Sequence, residues 1–298
     1  MQSSSTQPVA IVTGAASGFG RLTAEALARN GYRTYAALRD PAGRNAGAAA
    51  LLEAQGIRVV DLDVTDDESV EGAAQRILDE AGRVDVLVNN AGAAYFGLVE
   101  TFTPALVQRQ FEVNVFGTLR VNRAFLPSMR ARGTGLVIFV SSVVGRFVVP
   151  FGGVYVASKH AIEALAETTA YELKSFGIDV SIVEPSAFRT SIFEKQSFAD
   201  DEARAATYGS FAEKPHELAA SMVARADDQP EKVADAIVEL ALRPSGTRPL
   251  RRVVGDSAGA GPMNAAIAPV QRAILERFGM DGLAPANALD DLQPAGAR

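Results

Sequence analysis

The stretch VAIVTGAASGFG, residues 9–20, joins an apolar run to three closely spaced glycines. β-Branched residues dominate the run and predict a buried strand over Val9–Thr13. A helical pattern follows over Leu22–Arg29, so the glycines fall between a strand and a helix. Glycine-rich turns are common, but in this position they let the backbone approach a pyrophosphate at a helix N-terminus. The stretch therefore predicts a dinucleotide cradle, and it lacks the lysine of ATP- and GTP-binding loops.

The same alternation of β-branched runs and helical patterns continues along the chain. It is typical of βαβ units, and it predicts an α/β fold with a doubly wound, seven-stranded parallel sheet flanked by helices. The predicted strands are Val9–Thr13, Arg33–Leu38, Arg58–Leu62, Val86–Asn89, Leu136–Ser141, Val180–Glu184 and Arg252–Gly255. The predicted helices are Leu22–Arg29, Arg44–Ala54, Ser69–Ala81, Pro104–Arg132, Val154–Phe176 and Pro230–Leu242.

One segment, residues 192–229, interrupts this regular order. It is rich in Phe, Ala and acidic residues, and it predicts a small helical insertion that covers the carboxyl ends of the strands, where ligands bind. No linker composition divides the chain of 298 residues. We therefore expect one catalytic domain over residues 8–278, a disordered tail over 1–7 and a loosely ordered tail over 279–298.

Composition argues against several classes of protein. The net charge of -6 and the lack of a basic cluster disfavour nucleic-acid binding. The absence of cysteine excludes disulfides and thiol nucleophiles, and His160 and His216 alone predict no metal site. Residues 1–7 lack the apolar run of a signal peptide. The most apolar window, Gly135–Ala157, contains Arg146 and Pro150, which disfavour a membrane helix. We expect a cytoplasmic protein.

A tyrosine and a lysine four residues apart carry the chemical signal. Within a helix, Tyr155 and Lys159 lie on one face, so the ammonium group would lie beside the phenol. A phenol ordinarily has a pKa near ~10, and a nearby cation lowers that value. Ser142, thirteen positions upstream, would bond the oxygen that exchanges a proton with the tyrosine. The pair also arises by chance, so its surroundings decide its meaning.

Taken together, these motifs resemble the compact, single-domain branch of the short-chain dehydrogenase/reductase family over about Pro8 to Gly255. The resemblance includes the order and spacing of the glycine turn at 13–20, the Asn89–Gly92 turn and the Pro185–Thr190 segment. It also includes three single positions, Asp63, Asn114 and Ser142, and the Tyr155/Lys159 pair. The family has a Rossmann fold, and the apolar loop before Tyr155 is similar to the hydroxysteroid and retinol dehydrogenase groups.

The resemblance implies roles for these residues. Tyr155 would be the general acid or base, Lys159 would lower its pKa, Ser142 would polarise the substrate oxygen and Asn114 would support a proton relay. It implies cofactor contacts at Gly14, Ser17, Gly18, Phe19, Gly20, Arg39, Asp63, Val64, Asn90, Ala91, Gly92, Tyr155, Lys159, Pro185, Phe188 and Thr190. Two positions depart from the family pattern, Ser186 where glycine is usual and Phe19 where a smaller aliphatic is common. We expect both to be tolerated.

The end of the second strand bears on the choice of cofactor. Leu38 occupies the position where an acidic residue would bind the ribose hydroxyls of NAD(H). Arg39 and Ser17 suit the 2'-phosphate of NADP(H), which the sequence favours. Asp40 keeps NAD(H) open as the alternative, because it would serve that cofactor if the strand ended later.

Aromatic residues near the catalytic segments bear on the substrate. Phe96, Val144, Phe151 and Phe193 predict an apolar pocket for a bulky lipophilic ketone, aldehyde or alcohol. The alternative is that these side chains simply pack in the core. Reduction is the expected direction with NADPH.

Two other functions stay open at this point. Residues 255–259, GDSAG, fit a nucleophile elbow with Ser257, although both histidines precede that serine, against the usual order of a serine hydrolase. A non-catalytic sensor of NADP(H) would keep the glycine turn, but here the acid-base residues are all present. No nucleic-acid or membrane partner is expected. The faces of the helices from Pro104 and from Val154 predict a homo-oligomer, with a dimer expected and a tetramer as the alternative.

Overall fold

The computed structural model describes residues 7–190, 197–227, 229–257 and 259–284. Within them, seven strands form one parallel sheet in the order β3-β2-β1-β4-β6-β7-β9. These strands are β1 (Val9–Thr13), β2 (Arg33–Leu38), β3 (Arg58–Asp61), β4 (Val86–Asn89), β6 (Gly135–Val140), β7 (Ile178–Pro185) and β9 (Arg251–Val254). The predicted doubly wound α/β fold is confirmed, and each predicted strand overlaps an observed one.

Helices cover both faces of this sheet, which is why its strands are apolar on both sides. Val9 and Ile11 of β1 belong to one hydrophobic core, and Ala10 and Val12 belong to the other. The helices are α1 (Gly18–Arg29), α2 (Ala46–Glu53), α3 (Asp67–Ala81), α4 (Pro104–Phe111), α5 (Gly117–Arg132), α6 (Gly153–Leu173), α7 (Glu202–Ala206), α8 (Lys214–Arg225), α9 (Glu231–Leu242) and α10 (Ala260–Arg277).

The helix predicted over Pro104–Arg132 has a π-helical turn at its centre. Residues Glu112–Phe116 form this turn between α4 and α5. Asn114 lies in it and is 2% exposed. Such turns widen a helix locally and are frequent at functional sites.

A second, two-stranded sheet was not predicted. β5 (Tyr95–Phe96) pairs in parallel with β8 (Ser197–Phe198), which belongs to the predicted insertion. The insertion is helical through α7 and α8, and Asp200 accepts hydrogen bonds from the backbone N–H (2.9 Å) and hydroxyl (2.8 Å) of Thr103. These contacts hold the insertion at the carboxyl edge of the large sheet.

The region after β9 contains α10, a helix that the sequence analysis did not assign. Its Asn264 is 3% exposed and contacts the interior of the protein. None of the helices in the described part of the chain has the length and apolar character that a bilayer crossing requires. The predicted domain and tail boundaries stay predictions.

Candidate active site

The glycine turn brings two loops of the chain into direct contact. Gly14 has φ +66°, and a Cβ on it would lie 2.8 Å from Cα of Ala91; a Cβ on Gly20 would lie 2.4 Å from Nδ2 of Asn90. Asn90 Nδ2 in turn donates to the Thr13 carbonyl oxygen at 2.8 Å. Both glycines therefore allow the turn after β1 to lie against the Asn89–Gly92 turn after β4.

A cleft of about 930 Å³ opens beside this contact, and the first turn of α1 faces it. Its size is within the range of clefts that hold cofactors. Most of the predicted cofactor residues line it: Gly14, Ser17, Gly18, Phe19, Arg39, Asp63, Val64, Asn90, Ala91, Gly92, Tyr155, Lys159 and Thr190. Gly20 lies behind the turn, and Pro185 and Phe188 line a neighbouring cavity instead. The helix N-terminus, glycine turn and cleft-lining arginines are the donors that a phosphate-bearing dinucleotide requires, so these residues fit such a cofactor.

The end of β2 carries positive charge into one end of the cleft. Arg39 and Arg44 both line the cleft, and Arg44 was missed by the sequence analysis because it lies in a loop without a motif. Asp40 turns away: its Oδ2 accepts a hydrogen bond from the Arg44 backbone N–H at 3.0 Å. Asp63 instead faces Arg39, with 3.4 Å between Oδ2 and Nη1. β2 ends at Leu38, as the sequence predicts.

The opposite end of the cleft holds the predicted acid-base residues. Burial raises the pKa of the Tyr155 phenol to about 12, and the neighbouring Ser142 hydroxyl opposes this shift only in part. Lys159 Nζ lies 5.7 Å from the Tyr155 ring centroid and donates to the Val140 carbonyl oxygen at 2.9 Å. Burial lowers the pKa of Lys159 to about 8, opposed by the Glu163 carboxylate. In this geometry the tyrosine is a neutral phenol at pH 7.

Asn114 lies in the π-helical turn, and its side chain bonds to residues outside that turn. Its Oδ1 accepts from the Ala93 backbone N–H at 2.8 Å, and its Nδ2 donates to the Ala93 carbonyl oxygen and to Ser158 Oγ, both at 3.0 Å. Ser158 Oγ donates in turn to the Tyr155 carbonyl oxygen at 2.7 Å. Asn114 therefore connects the loop after β4 to the helical turn that carries Tyr155.

A smaller, largely apolar cavity of about 100 Å³ adjoins the cleft at Tyr155. Two of the predicted substrate residues, Phe96 and Val144, line this cavity, and Met222 from α8, which the sequence did not indicate, lines it as well. Phe151 packs on Phe211 instead, with 5.7 Å between the ring centroids. Phe193, the fourth predicted substrate residue, lies outside the described residues.

Comparison with known proteins decides the family. The model of the short chain dehydrogenase family matches residues 8–201, more than half of the chain. The chain belongs to the short-chain dehydrogenase/reductase family. A short-chain dehydrogenase from Streptomyces avermitilis has a TM-score of 0.76 and 35% identity, over 93% of this chain and 97% of that one.

Curated members of the family are similar over a smaller part of their length. The chain is 36% identical to a 3-ketodihydrosphingosine reductase of Bacteroides thetaiotaomicron, over 64% of this chain and 68% of the relative. It is 42% identical to the 17-beta-hydroxysteroid dehydrogenase type 1 of Mus musculus, over 63% of this chain and 56% of the relative. The chain thus spans just over half the length of that mouse enzyme. Family membership makes the protein an oxidoreductase of the dehydrogenase/reductase class that binds a nicotinamide dinucleotide.

The two departures from the family pattern have local explanations. Ser186 Oγ accepts a hydrogen bond from the Asp256 backbone N–H at 3.1 Å, so the serine has a partner where the family usually has glycine. Phe19 packs edge-on against Phe188, with 5.7 Å between the ring centroids. Both side chains fit the observed backbone.

The two histidines and Ser257 have local partners. His216 stacks on Phe198 at 3.9 Å between ring centroids, and His160 Nδ1 lies 3.0 Å from the Val156 carbonyl oxygen. Ser257 lies shortly before α10, and its carbonyl oxygen accepts a hydrogen bond from the Gly261 backbone N–H at 3.0 Å. Across the described residues, no group of three or more His, Cys, Asp or Glu side chains is arranged to hold a metal ion.

Proposed function

We propose that the protein is an NADP(H)-dependent oxidoreductase that interconverts a bulky, lipophilic ketone or aldehyde with its alcohol. The observation that carries this proposal is the position of Tyr155, which lines both the polar cleft and the apolar cavity. A substrate oxygen at that junction would contact the phenol and Ser142 while the rest of the molecule lies on apolar side chains. The predicted roles of Tyr155, Ser142, Lys159 and Asn114 are part of the proposal.

The proton chemistry follows from the charge states of the side chains. A nicotinamide dinucleotide held by the glycine turn and Arg39 in the cleft would supply the hydride for reduction of the carbonyl carbon. Tyr155 donates its phenolic proton to the oxygen that becomes the alcohol, and Ser142 donates a hydrogen bond to the same oxygen. A neutral phenol at pH 7 suits this acid role. Lys159 stabilises the phenolate that remains, because its ammonium group lies on the same helix face.

Several features support NADP(H). Two arginines line the cleft near the end of β2, and the Asp40 carboxylate that would favour NAD(H) is bonded to the Arg44 backbone N–H. A guanidinium group binds phosphate oxygens in a bidentate manner. Two solved relatives are complexes with such cofactors: a Thermococcus sibiricus alcohol dehydrogenase with 5-hydroxy-NADP and a metagenomic short-chain oxidoreductase with NADP. They are 29% and 28% identical to this chain.

The lining of the small cavity supports a lipophilic substrate. Phe96, Val144, Val149, Phe188 and Met222 present mostly hydrocarbon to it. Relatives whose names specify sphingoid, steroid and retinoid substrates agree with a long or polycyclic molecule.

We include in the proposal a homodimer that buries the face of α5 and its preceding turn, where Phe116 is 46% exposed.

Replacing Tyr155 by Phe tests the proposal. The change removes the proton donor and keeps the ring, so we expect NADPH binding, measured by fluorescence, to persist. We expect turnover, measured as NADPH oxidation over ketones of graded size, to fall by about 10² to 10⁴.

One further variant and two outcomes of the same assays separate the alternatives. Ser257→Ala should leave turnover unchanged, whereas its inactivation would favour a hydrolase. Full turnover in Tyr155→Phe would refute the acid role. NADPH binding without turnover of any ketone in the wild type would favour a sensor.

A further inference from the structure

A cluster of buried charges lies directly behind the acid-base site. Its carboxylates come from α6 and β7, and its guanidinium groups come from β9 and the loop after β6. The side chains are 3%, 0% and 12% exposed for Glu163, Glu184 and Arg251. Neither the family resemblance nor the proposed mechanism uses any of these three residues. The cluster comprises Arg146, Glu163, Glu167, Glu184, Arg251 and Asn264.

Arg251 is the centre of this cluster. Its Nε lies 3.1 Å from Glu163 Oε2 and 3.3 Å from Glu184 Oε1, and its Nη2 lies 2.6 Å from Glu167 Oε2. Arg146 Nη1 is 4.0 Å from Glu163 Oε2. Asn264 of α10 links the two sides, since it donates to Glu184 Oε2 at 2.7 Å and accepts from Arg146 Nε at 2.6 Å.

A buried ammonium group lies next to this cluster. Lys159 precedes Glu163 by one helical turn on the same face of α6, and the two residues are 7% and 2% exposed. Burial raises the pKa of Glu184 to about 8, so at pH 7 the ionised carboxylates of the cluster are mainly those of Glu163 and Glu167. Burial also lowers the pKa of Lys159, and the Glu163 carboxylate opposes this, so the charges of Lys159 and Glu163 are coupled.

One oxygen of Glu163 has no hydrogen-bond partner among the described residues, namely Oε1. The carboxylate reaches this position because residue 145 is glycine: a Cβ there would lie 2.9 Å from Glu163 Cγ and 3.2 Å from Oε1. The same Cβ would lie 2.8 Å from Ser141 Oγ, and Ser141 lines the cofactor cleft. Gly145 thus packs between Glu163 and Ser141, the residue that lines the cleft.

We propose that Glu163 is a positioning residue for the reaction, whose carboxylate is the counter-charge that keeps Lys159 protonated beside Tyr155. The inference rests on the proposed function, since it assigns the electrostatic support of that same site. Glu163 acts only through Lys159 and touches neither substrate nor cofactor.

The direction of the pH effect follows from the groups that face Lys159 and Glu163. These groups are Tyr155 and Glu167 on α6, Glu184 on β7, Arg251 on β9, and Arg146 in the loop after β6. Neutralising Glu163 removes the attraction that favours the ammonium form, so Lys159 loses its proton at lower pH. Glu184 offsets part of the loss, because its pKa, raised by burial to about 8, falls when the Glu163 charge is removed.

The test compares Glu163→Gln with Glu167→Gln in the full-length enzyme. Both variants remove a carboxylate that pairs with Arg251, but only Glu163 lies one turn from Lys159. For Glu163→Gln we expect the alkaline limb of the kcat/KM profile, measured from NADPH oxidation, to move down by about one pH unit. For Glu167→Gln we expect the limb to stay in place. Glu163→Asp keeps the charge at a greater distance and should give an intermediate limb.

A titration of Lys159 itself makes the test independent of activity. The sequence contains five lysines, Lys159, Lys174, Lys195, Lys214 and Lys232, so NMR of side-chain-labelled lysine gives few signals, and Lys159→Met identifies the one of interest. We expect the Lys159 pKa to fall in Glu163→Gln and not in Glu167→Gln.

Two outcomes would overturn the inference. The first is a folded Glu163→Gln variant whose Lys159 pKa and alkaline limb match those of the wild type. If Glu163→Gln does not fold, the same result in Glu163→Asp would overturn the inference. The other is an equal shift in Glu167→Gln, which would assign the effect to Arg251. A wild type that reduces no ketone would refute the proposed function alone, because the lysine titration still reports on the cluster.

Discussion

The two ends of the cleft carry charge in opposite ways. At the end near β2, the Arg39 side chain is 52% exposed and its partner Asp63 is 26% exposed. Behind the catalytic end, Glu163 and Arg251 do not line the cleft and are 3% and 12% exposed. Exposed charges are solvated and exchange partners at little cost, whereas buried charges must be balanced within the fold. The open end is therefore suited to selecting a cofactor, and the buried end to fixing the charge state of acid-base groups.

Replacing Arg251 by Met tests the buried end most severely. Three carboxylates would then share one guanidinium group, and the free energy of unfolding should fall by about 3–5 kcal/mol. Chemical denaturation monitored by circular dichroism measures the change. Arg39→Met is the matched control at the open end, where we expect a change within about 1 kcal/mol. Equal losses in the two variants would contradict the contrast between the ends.

Replacing Leu38 by Asp tests the open end. The new carboxylate would repel a 2'-phosphate and accept hydrogen bonds from ribose hydroxyls, so the preference for NADPH over NADH should reverse. Hydrogen bonds to charged groups contribute about 1.5–3 kcal/mol, which corresponds to roughly tenfold to a hundredfold in the ratio of kcat/KM values. Leu38→Asn, which lacks the charge, should change the ratio less. An unchanged ratio in Leu38→Asp would show the cofactor assignment to be wrong.

Replacing Gly145 by Ala tests how tightly the buried cluster is packed. The added methyl group would press on Ser141 Oγ and Glu163 Cγ. We expect a loss of about 1–3 kcal/mol in the free energy of unfolding. Gly47→Ala in α2 is the control: no atom lies within 4 Å of its Cβ position, and a stabilisation of about 0.5–1 kcal/mol is expected in a helix. A harmless Gly145→Ala would mean that Glu163 has room to move.

Salt concentration should affect the exposed end of the cleft more than the buried cluster, and its effect should be smaller than those of the substitutions. Salt screens exposed charges far more than buried ones. Raising the salt concentration should increase the KM for NADPH by up to about fivefold, the equivalent of one exposed ion pair, while kcat changes little. NADH lacks the 2'-phosphate, so its KM should respond less. A salt-sensitive kcat would indicate that water reaches the buried cluster.

Much of the fold was predictable because its signals are local. The β-branched runs mark each strand of the large sheet, and the glycine turn predicts the unit that begins with β1. The pair β5 and β8 escaped prediction because two residues per strand give no periodicity, and their partners lie about a hundred residues apart. The helix α10 likewise has no assignment from the sequence analysis.

The residues of the site also fall into those that a local sequence pattern predicts and those that only tertiary packing brings to the site. Tyr155, Lys159 and Ser142 lie near each other in sequence and were singled out together. Arg44 and Met222 contribute to the cleft and cavity through loop and helix packing, which no short motif encodes. The expected lowering of the Tyr155 pKa is outweighed here by desolvation, a property of the surrounding packing rather than of the Tyr-xxx-Lys spacing.

Asn264, in helix α10, does not line the cleft, yet it bonds to the buried cluster behind the acid-base site. The family match ends at residue 201, yet beyond that limit Arg251 pairs with Glu163, and Asn264 bonds the neighbouring Glu184 and Arg146. With the proposed role of Glu163, substitutions at Arg251 or Asn264 would shift the pH dependence of the reaction, although neither residue lines the cleft or the cavity.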